Sequence, residues 1–596
     1  MRLKKMFMVL LSLIITLSLV ACGSPTQETT GTTTETTVTS GIYTGSAPGH
    51  NGPVSVDVTI DEDGTISDIQ IVESSETLAI GSGAYEITKN HVLVKQNLDV
   101  EAISGATISR VAYINAIADA LGQAGFDVDA LKESTGEVDD SVIGDLETEV
   151  LVIGGGIAGF SAAIEANSLG ANVILIEKLG VIGGTTARSE GIVQAAGTEL
   201  QKEHGIDDSE EQFYIDFTGL QTDETLDDDL IRLGIENSVE TIEWLKDKGV
   251  NFDEIESAHP LPPRDIMRGH YAENKGGGMM QTLYEYALDN GVEVYTNTKA
   301  TEIIMKDGAA VGAKVVRSNG EELTISAQAV VIATGGYSSN KELMAKLHPE
   351  IVDYTSYNSN TGDGYLLAEQ AGAEMINKSP ALVHYANRLP GATGAVNVVG
   401  FYTPTVVLVT EDGLRYSSEE AYTFDRSGVV IAKGASQVFA LLPNEFVSEN
   451  QEGVDNGVEK GIIIKSESIE DLAKEYGIDA DNLVATIENY NELCDKGKDD
   501  DFNKDSKFLK SFDGPEYYAM RLYPSVAETY NGPKITVNGE VISTDGNPIP
   551  GLYAAGGVTM AQFTDYQYYS SGTAILYSAV IGREAANHIV ENVLNK

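Results

Sequence analysis

The sequence predicts a large C-terminal unit of α/β architecture preceded by a small α+β domain. Three observations carry this reading. Residues Val150 to Lys178 run strand, glycine turn, helix and strand. Val54, Val56, Val58 and Ile60 alternate with polar residues well ahead of an amphipathic helix. Later in the chain, short apolar runs end repeatedly in glycine turns.

The segment from Val150 reads Val-Leu-Val-Ile-Gly-Gly-Gly-Ile-Ala-Gly. Gly154 permits a tight turn, Gly156 lets the backbone approach a pyrophosphate, and Gly159 lets the helix lie close on its strand. Ile157 and Ala158 open a helix whose positive end faces that pyrophosphate. Glu177 closes the second strand, ahead of Lys178, where an acid binds ribose hydroxyls. This is the signature of a dinucleotide site in a Rossmann-like domain.

At 596 residues and 42% hydrophobic, the chain is long enough for several domains with large cores. A formal charge of -51 excludes nucleic acid as a partner and disfavours anionic lipid headgroups. The acidic runs Asp227-Asp228-Asp229 and Asp499-Asp500-Asp501 read as solvated faces and lack the ligand spacing of a calcium loop. The two cysteines, Cys22 and Cys494, exclude a disulfide framework, an iron–sulfur cluster and c-type haem. The eight histidines have no metal-ligand spacing, so any redox centre is organic.

Arg2, Lys4 and Lys5 precede an apolar run, Met6 to Val20, and then Leu19-Val20-Ala21-Cys22. This resembles a bacterial lipoprotein signal peptide (1–22), in which Cys22 is lipidated and becomes the new N-terminus. Residues 23–40, rich in Thr and Ser, read as a flexible tether. The expected location is the outer face of the bacterial cell membrane.

Residues 41–125 form the small domain. After the alternating strand, Ile66, Ile69 and Ile71 mark its return, and Val111, Ile114, Ile117, Ala118 and Leu121 share a helix face. Ser104-Gly105-Ala106-Thr107-Ile108-Ser109 stands at the start of that helix. The plain reading is a Ser/Thr helix cap. The six residues also resemble the covalent-flavin motif of FMN-binding domains, which implies FMN attached to Thr107 through a phosphoester. Residues 126–146 are acidic, aperiodic linker.

In the large unit, Glu293–Val316 reads as short strands around Lys306-Asp307-Gly308. Gly183-Gly184-Thr185-Thr186, Ala333-Thr334-Gly335-Gly336, Thr361-Gly362-Asp363-Gly364 and Ala554-Ala555-Gly556-Gly557 are the remaining glycine turns. Together they resemble the fumarate reductase/succinate dehydrogenase flavoprotein family, most closely its soluble exported branch but without haem. The resemblance implies non-covalent FAD on the fingerprint and the other turns, with Asp363 and the final helix start, Thr573, Ala574 and Ile575, beside it. It also implies an α+β capping domain (379–524) inserted between two parts of the FAD domain (147–378 and 525–596). Gly557 stands where the family has Glu near the ribityl chain.

The resemblance implies hydride transfer from FAD to an activated C=C bond and a proton from a cap arginine. Val407–Tyr416 aligns with that segment, so Arg415 takes the role. A guanidinium is a poor acid and acts by stabilising charge. The Glu and Arg expected before it are not evident in Val396–Thr405, leaving Glu419, Glu420 or Tyr422 as relay. His384 matches a substrate-facing histidine. Glu528 and Tyr569 replace the cationic carboxylate clamp, so fumarate is not the expected substrate. Tyr530, Phe563, Tyr566, Tyr568 and Tyr569 are aromatic instead. Tyr568 and Gly572 have the spacing of the ketone-polarising pair in ketosteroid dehydrogenases. The expected activity is reduction of an α,β-unsaturated compound that is neutral or a monocarboxylate, with electrons from a quinol- or flavin-linked membrane donor in anaerobic respiration. The alternatives are the reverse dehydrogenation of a ketone, or an electron-transfer lipoprotein without catalysis.

Overall fold

The computed structural model describes residues 38–133, 143–221, 223–356, 359–378, 381–388, 395–396, 403–434, 437–565 and 567–596. Cys22, nearly all of the tether, part of the linker, Tyr566 and most of Val396–Thr405 lie outside the described residues. Among the described residues no helix is long and apolar enough to cross a membrane.

The small domain is an antiparallel three-stranded sheet, Gly41–Pro48, Pro53–Ile60 and Ile66–Ser74, under helices Gly81–Lys95 and Thr107–Gln123. Val54, Val56, Val58 and Ile60 are all buried, as their alternation requires. Ile66 and Ile69 are both buried although three apart, because a bulge beside Thr59 and Ile60 shifts the register between them. Ile71 and Val111, expected on the apolar faces, are exposed, Ile71 beyond the bulged stretch of its strand and Val111 at the edge of its helix face.

The large unit is built on a six-stranded sheet in the order Glu293–Tyr295, Val173–Ile176, Val150–Ile153, Ala329–Ile332, Pro548–Ala554, Glu540–Ile542. All neighbours are parallel except the last pair. The inner strands are apolar throughout and fully buried, as sheets covered on both faces demand. Helix Ile157–Ser168 covers one face and meets the final helix, Thr573–His588. A Cβ on Gly582 would stand 2.6 Å from Ala158 O, so the two helices touch backbone to backbone.

The expected strands around Lys306-Asp307-Gly308 are Thr298–Lys306 and Ala309–Arg317. Their two-residue turn has positive φ at both Asp307 and Gly308, matching hairpin twist. The cap is an α+β unit whose central strand, Tyr517–Glu528, pairs with Leu382–Arg388, Val438–Leu442 and Ile463–Ser466. This strand continues past residue 524, the expected end of the cap, so the cap sheet delivers Glu528 directly into the FAD-type domain.

The acidic runs are not all solvated. Asp227 caps helix Asp228–Glu236 by accepting from Leu230 N–H, and Asp499 is buried. Among the described residues no three acids, histidines or cysteines are grouped to hold a metal ion.

Candidate active site

A cavity of about 400 Å³ runs along the ends of the parallel strands and under the cap. Its floor is made by the glycine turns. Helix Ile157–Ser168 begins at Gly156 with no side-chain cap from that residue, which leaves N–H groups of its first turn beyond Ile157 open to an anion. Gly154 has φ +118° and crosses the next turn so closely that a Cβ would stand 2.3 Å from Ala333 O. A Cβ on Gly159 would stand 1.9 Å from Gly154 O. Gly183 N–H donates to Gly155 O at 2.7 Å, and Thr186 Oγ1 accepts from Ile157 N–H at 3.4 Å. Thr334 Oγ1 accepts from Gly364 N–H at 3.1 Å. Gly154, Gly156, Ile157, Ala158, Gly184, Thr185, Thr186, Ala333, Thr334, Gly335, Gly556 and Gly557 all line the cavity. Gly159, Gly183 and Gly336 lie behind them and act by permitting close approach.

One end of the cavity is charged. The Glu177 carboxylate accepts from Gly155 and Leu179 N–H, each at 2.9 Å. Burial pushes its pKa up, against those two hydrogen bonds. Lys178 and Lys299 both pair with Asp363, at 2.6 and 2.9 Å. Burial raises the Asp363 pKa, but Lys178, Thr361 and Lys299 outweigh it and bring it down to about 2.

The other end is apolar and aromatic, lined by Leu382, Phe424, Ala527, Tyr530, Tyr568, Ser571 and Gly572. Tyr530 and Tyr568 stack at 6.2 Å, and Phe424 meets Tyr568 edge-on at 5.7 Å. The Tyr568 hydroxyl accepts from Ala574 N–H at 2.9 Å, and burial raises its pKa, so it remains protonated at neutral pH. Tyr422, at the foot of cap helix Thr423–Ala432, accepts from Ser571 N–H at 3.0 Å. Between the two ends sits Glu528, buried, with Asn360 Nδ2 donating to both carboxylate oxygens at 2.9 and 3.1 Å. Burial pushes its pKa up to about 7 despite the Thr529 N–H and Asn360 hydrogen bonds.

The small domain reaches the cavity rim. Helix Thr107–Gln123 begins at Ala106 without a side-chain cap, so the plain Ser/Thr cap reading is not realised. Thr107, Ser104 and Gly105 are exposed. Gly180 N–H donates to Ser104 O at 3.1 Å, and Arg188, which lines the cavity, donates to Gly105 O at 3.4 Å and Gly184 O at 2.8 Å.

A profile of the FAD binding domain matches residues 149–573, and one of the FMN-binding domain matches residues 49–122. A urocanate reductase from Eggerthella lenta is 31% identical over 544 residues, 86% of this chain and 86% of that protein. A vinyl phenol reductase from Lactiplantibacillus plantarum is 29% identical over 74% of this chain and 96% of its own length. The open form of a flavocytochrome c3 fumarate reductase superposes with a TM-score of 0.61 at 28% identity, covering 79% of this chain and 84% of that one. The chain belongs to the fumarate reductase/succinate dehydrogenase flavoprotein family. It is a flavin oxidoreductase acting on C=C bonds, and FAD and FMN are its cofactors.

The residues present fit FAD: open N–H groups and a glycine cradle for the pyrophosphate, an acid for the ribose, and an aromatic chamber beyond. They also fit the phosphate end of FMN, at the uncapped helix start beside Thr107 and Ala106.

Within this family frame, several expected roles fail on geometry. Arg415 does not line the cavity. Its guanidinium is buried inside the cap, donating to Glu419 at 3.1 and 2.8 Å and to Asp499 at 3.2 and 2.9 Å, with Tyr490 and Phe502 against it. A fully engaged cation away from the chamber is not its proton donor, so Glu419 is no relay. Tyr569 points out of the chamber, its hydroxyl taken by Arg268 at 2.6 Å among Phe213 and Phe217. His384 lies one layer back, edge-on to Phe424 at 6.3 Å, and burial lowers its pKa to about 4. Thr573 is buried behind the wall, while Ala574 and Ile575 line it. Phe563 packs on Tyr577 in the core at 4.6 Å. Conversely, Leu382, Phe424, Asn360, Arg188 and Lys299 line the cavity without a motif to announce them. Asn360 could have been suspected, since it precedes the Thr361-Gly362-Asp363-Gly364 turn.

Proposed function

We propose that this chain is an extracytoplasmic, lipid-anchored reductase of a neutral or monocarboxylate α,β-unsaturated substrate with a ring or apolar body, and not of fumarate. The observation that carries the substrate class is the chamber wall of Leu382, Phe424, Tyr530 and Tyr568, while the cations that line the cavity are engaged elsewhere: Lys178 and Lys299 with Asp363, and Arg188 with the Gly105 and Gly184 carbonyls. A dicarboxylate held there would lack the charged partners that make carboxylate binding strong. Urocanate and vinyl phenol, named in two relatives, are ring-bearing unsaturated compounds of this kind.

FAD, when bound, supplies the hydride. The chain's own residues supply orientation, dryness and the proton. Tyr568 accepts a hydrogen bond from Ala574 N–H, which leaves its O–H free to donate to a substrate carbonyl. Such a donor, fixed where negative charge develops, stabilises the enolate. With Arg415 removed from the role, the tyrosine hydroxyls of the chamber are the acids at hand, and Phe424 meets both Tyr422 and Tyr568 edge-on. The Ser104–Thr107 loop on the cavity rim supports electron entry through FMN on Thr107. Arg2, Lys4, Lys5, the run to Val20 and Cys22 support export and anchoring, and an anchor suits a membrane donor and anaerobic respiration.

The test is turnover of the purified holoprotein with a viologen donor against neutral, monocarboxylate and dicarboxylate enoates and enones. Aryl enoates or enones as the best substrates are expected; fumarate as the best would overturn the reading. The same Tyr568–Gly572 geometry favours a second reading, dehydrogenation of a ketone, and assay with a viologen-free acceptor measures it.

A further inference from the structure

The Glu528 carboxyl occupies a slot that two glycines keep open. A Cβ on Gly336 would stand 2.5 Å from Glu528 Oε1 and 2.2 Å from Thr529 Oγ1. A Cβ on Gly557 would stand 3.6 Å from Glu528 Cδ, so a side chain longer than alanine there would take the carboxyl's place. Neither glycine has positive φ. Backbone conformation therefore demands glycine at neither position; at Gly336 the closeness of Thr529 and Glu528 does, and at Gly557 the space left beside Glu528 would admit alanine but no longer side chain. On the other side, the Asn360 amide that holds the carboxylate also reaches Thr185 Oγ1 at 3.1 Å. Thr185, Gly335, Asn360, Gly557 and Glu528 together line the stretch of cavity between the pyrophosphate cradle and the aromatic chamber.

That stretch faces the cofactor. The groups that stabilise ionised Glu528 are Thr529 and Gly336 N–H, Asn360 and Thr185, with no cation among them. The titratable groups that sense its charge are Tyr337, Tyr530 and Tyr568, all held neutral by burial. A carboxylate in a dry site without a counter-ion responds strongly to further negative charge nearby.

We propose that Glu528 is a cofactor-facing acid that gains a proton when the adjacent flavin is reduced. The electrons go to the flavin from the external donor. The carboxylate takes one H⁺ from solvent to become a carboxylic acid, no other bond changes, and reoxidation by substrate returns the proton. Burial already raises its pKa to about 7 in the flavin-free protein, so a modest added charge shifts its state near neutral pH. This rests on FAD binding and is independent of which substrate is reduced.

The experiment is coulometric reduction of the holoprotein in a pH-stat at slightly alkaline pH, counting protons taken up per molecule, beside E528Q with its FAD content measured. FMN contributes equally to both. Where E528Q retains FAD, about one proton fewer is expected in the variant, and equal uptake overturns the proposal. Where E528Q loses FAD, the double variant E528A/G557E returns a carboxylate from the opposite wall. Recovery of both FAD content and proton uptake is then expected, and failure to recover either overturns the proposal.

Discussion

Replacing Arg415 by methionine separates a structural cation from a proton donor. The guanidinium makes four hydrogen bonds to two carboxylates whose side chains are 0% exposed. Lys504, itself buried, pairs with Glu419 at 3.3 Å, so two cations balance two anions. R415M leaves two buried carboxylates with one cation, a loss of about 3–5 kcal/mol for breaking such a pair from one side. Contacts with Tyr490 and Phe502 add about 1 kcal/mol. The cost falls on the cap, so hydrogen exchange of strands Val407–Thr410 and Val438–Leu442 is the assay, because it reads local stability where a global melt would mix domains. Protection there should fall by about three to four orders of magnitude. R415M/D499N, which leaves one cation and one anion, should recover a large part. Flavin reoxidation by substrate, measured on the folded fraction, should stay within about tenfold of the parent, since no transition-state contact is lost. Unchanged protection with abolished reoxidation would refute the structural assignment and restore Arg415 as the acid.

Other consequences can be measured separately. Glu528 binds its proton more tightly folded than unfolded, so the apoprotein should lose about 3 kcal/mol of stability as pH rises from 4.5 to about 7 and then level off, and E528Q should abolish that slope in urea titrations. Asp499 shows the opposite sign: burial raises its pKa but Arg415 lowers it further, so its contribution is present above the usual aspartate value and disappears as pH falls through the depressed one. Y568F should lower kcat by about 10²–10³ with the FAD spectrum intact, the loss typical of one oxyanion donor. T107A should leave acid-precipitated protein without peptide-bound flavin while FAD is still released. G159V, which drives a side chain into Gly154 O, should yield protein depleted of FAD but not of FMN.

The cofactor cradle was legible in the sequence because glycines at Gly154, Gly184, Gly335 and Gly556 meet backbone requirements that no other residue meets at low strain, and such requirements leave a spacing. Glu177 was legible because it ends a strand of fixed length. The cap chemistry was not. Arg415 sits in a segment that resembles a catalytic one, but its partners Glu419 and Asp499 are recognisable only after the chain has folded. Tyr568 and Tyr569 are adjacent and alike, yet one faces the chamber and the other Arg268; neighbouring positions of a loop carry no periodicity to say which. Glu528 looked like a substrate residue that repels carboxylates. Its place in the slot of Gly336 and Gly557 depends on a contact between distant segments, and only the missing side chain at Gly557 hinted at it. The bulge that buries both Ile66 and Ile69 likewise has no sequence mark.

Single-turnover reoxidation decides most directly whether the chamber is built for ring-bearing substrates. The fully reduced holoprotein would be mixed anaerobically with an aryl acrylate or with fumarate at equal concentration, and the FAD absorbance followed. Oxidation by the aryl acrylate should be faster by roughly a hundredfold, the order expected when one carboxylate finds no charged hydrogen-bond partner. Fumarate oxidising the flavin as fast or faster would contradict a chamber without a dicarboxylate clamp.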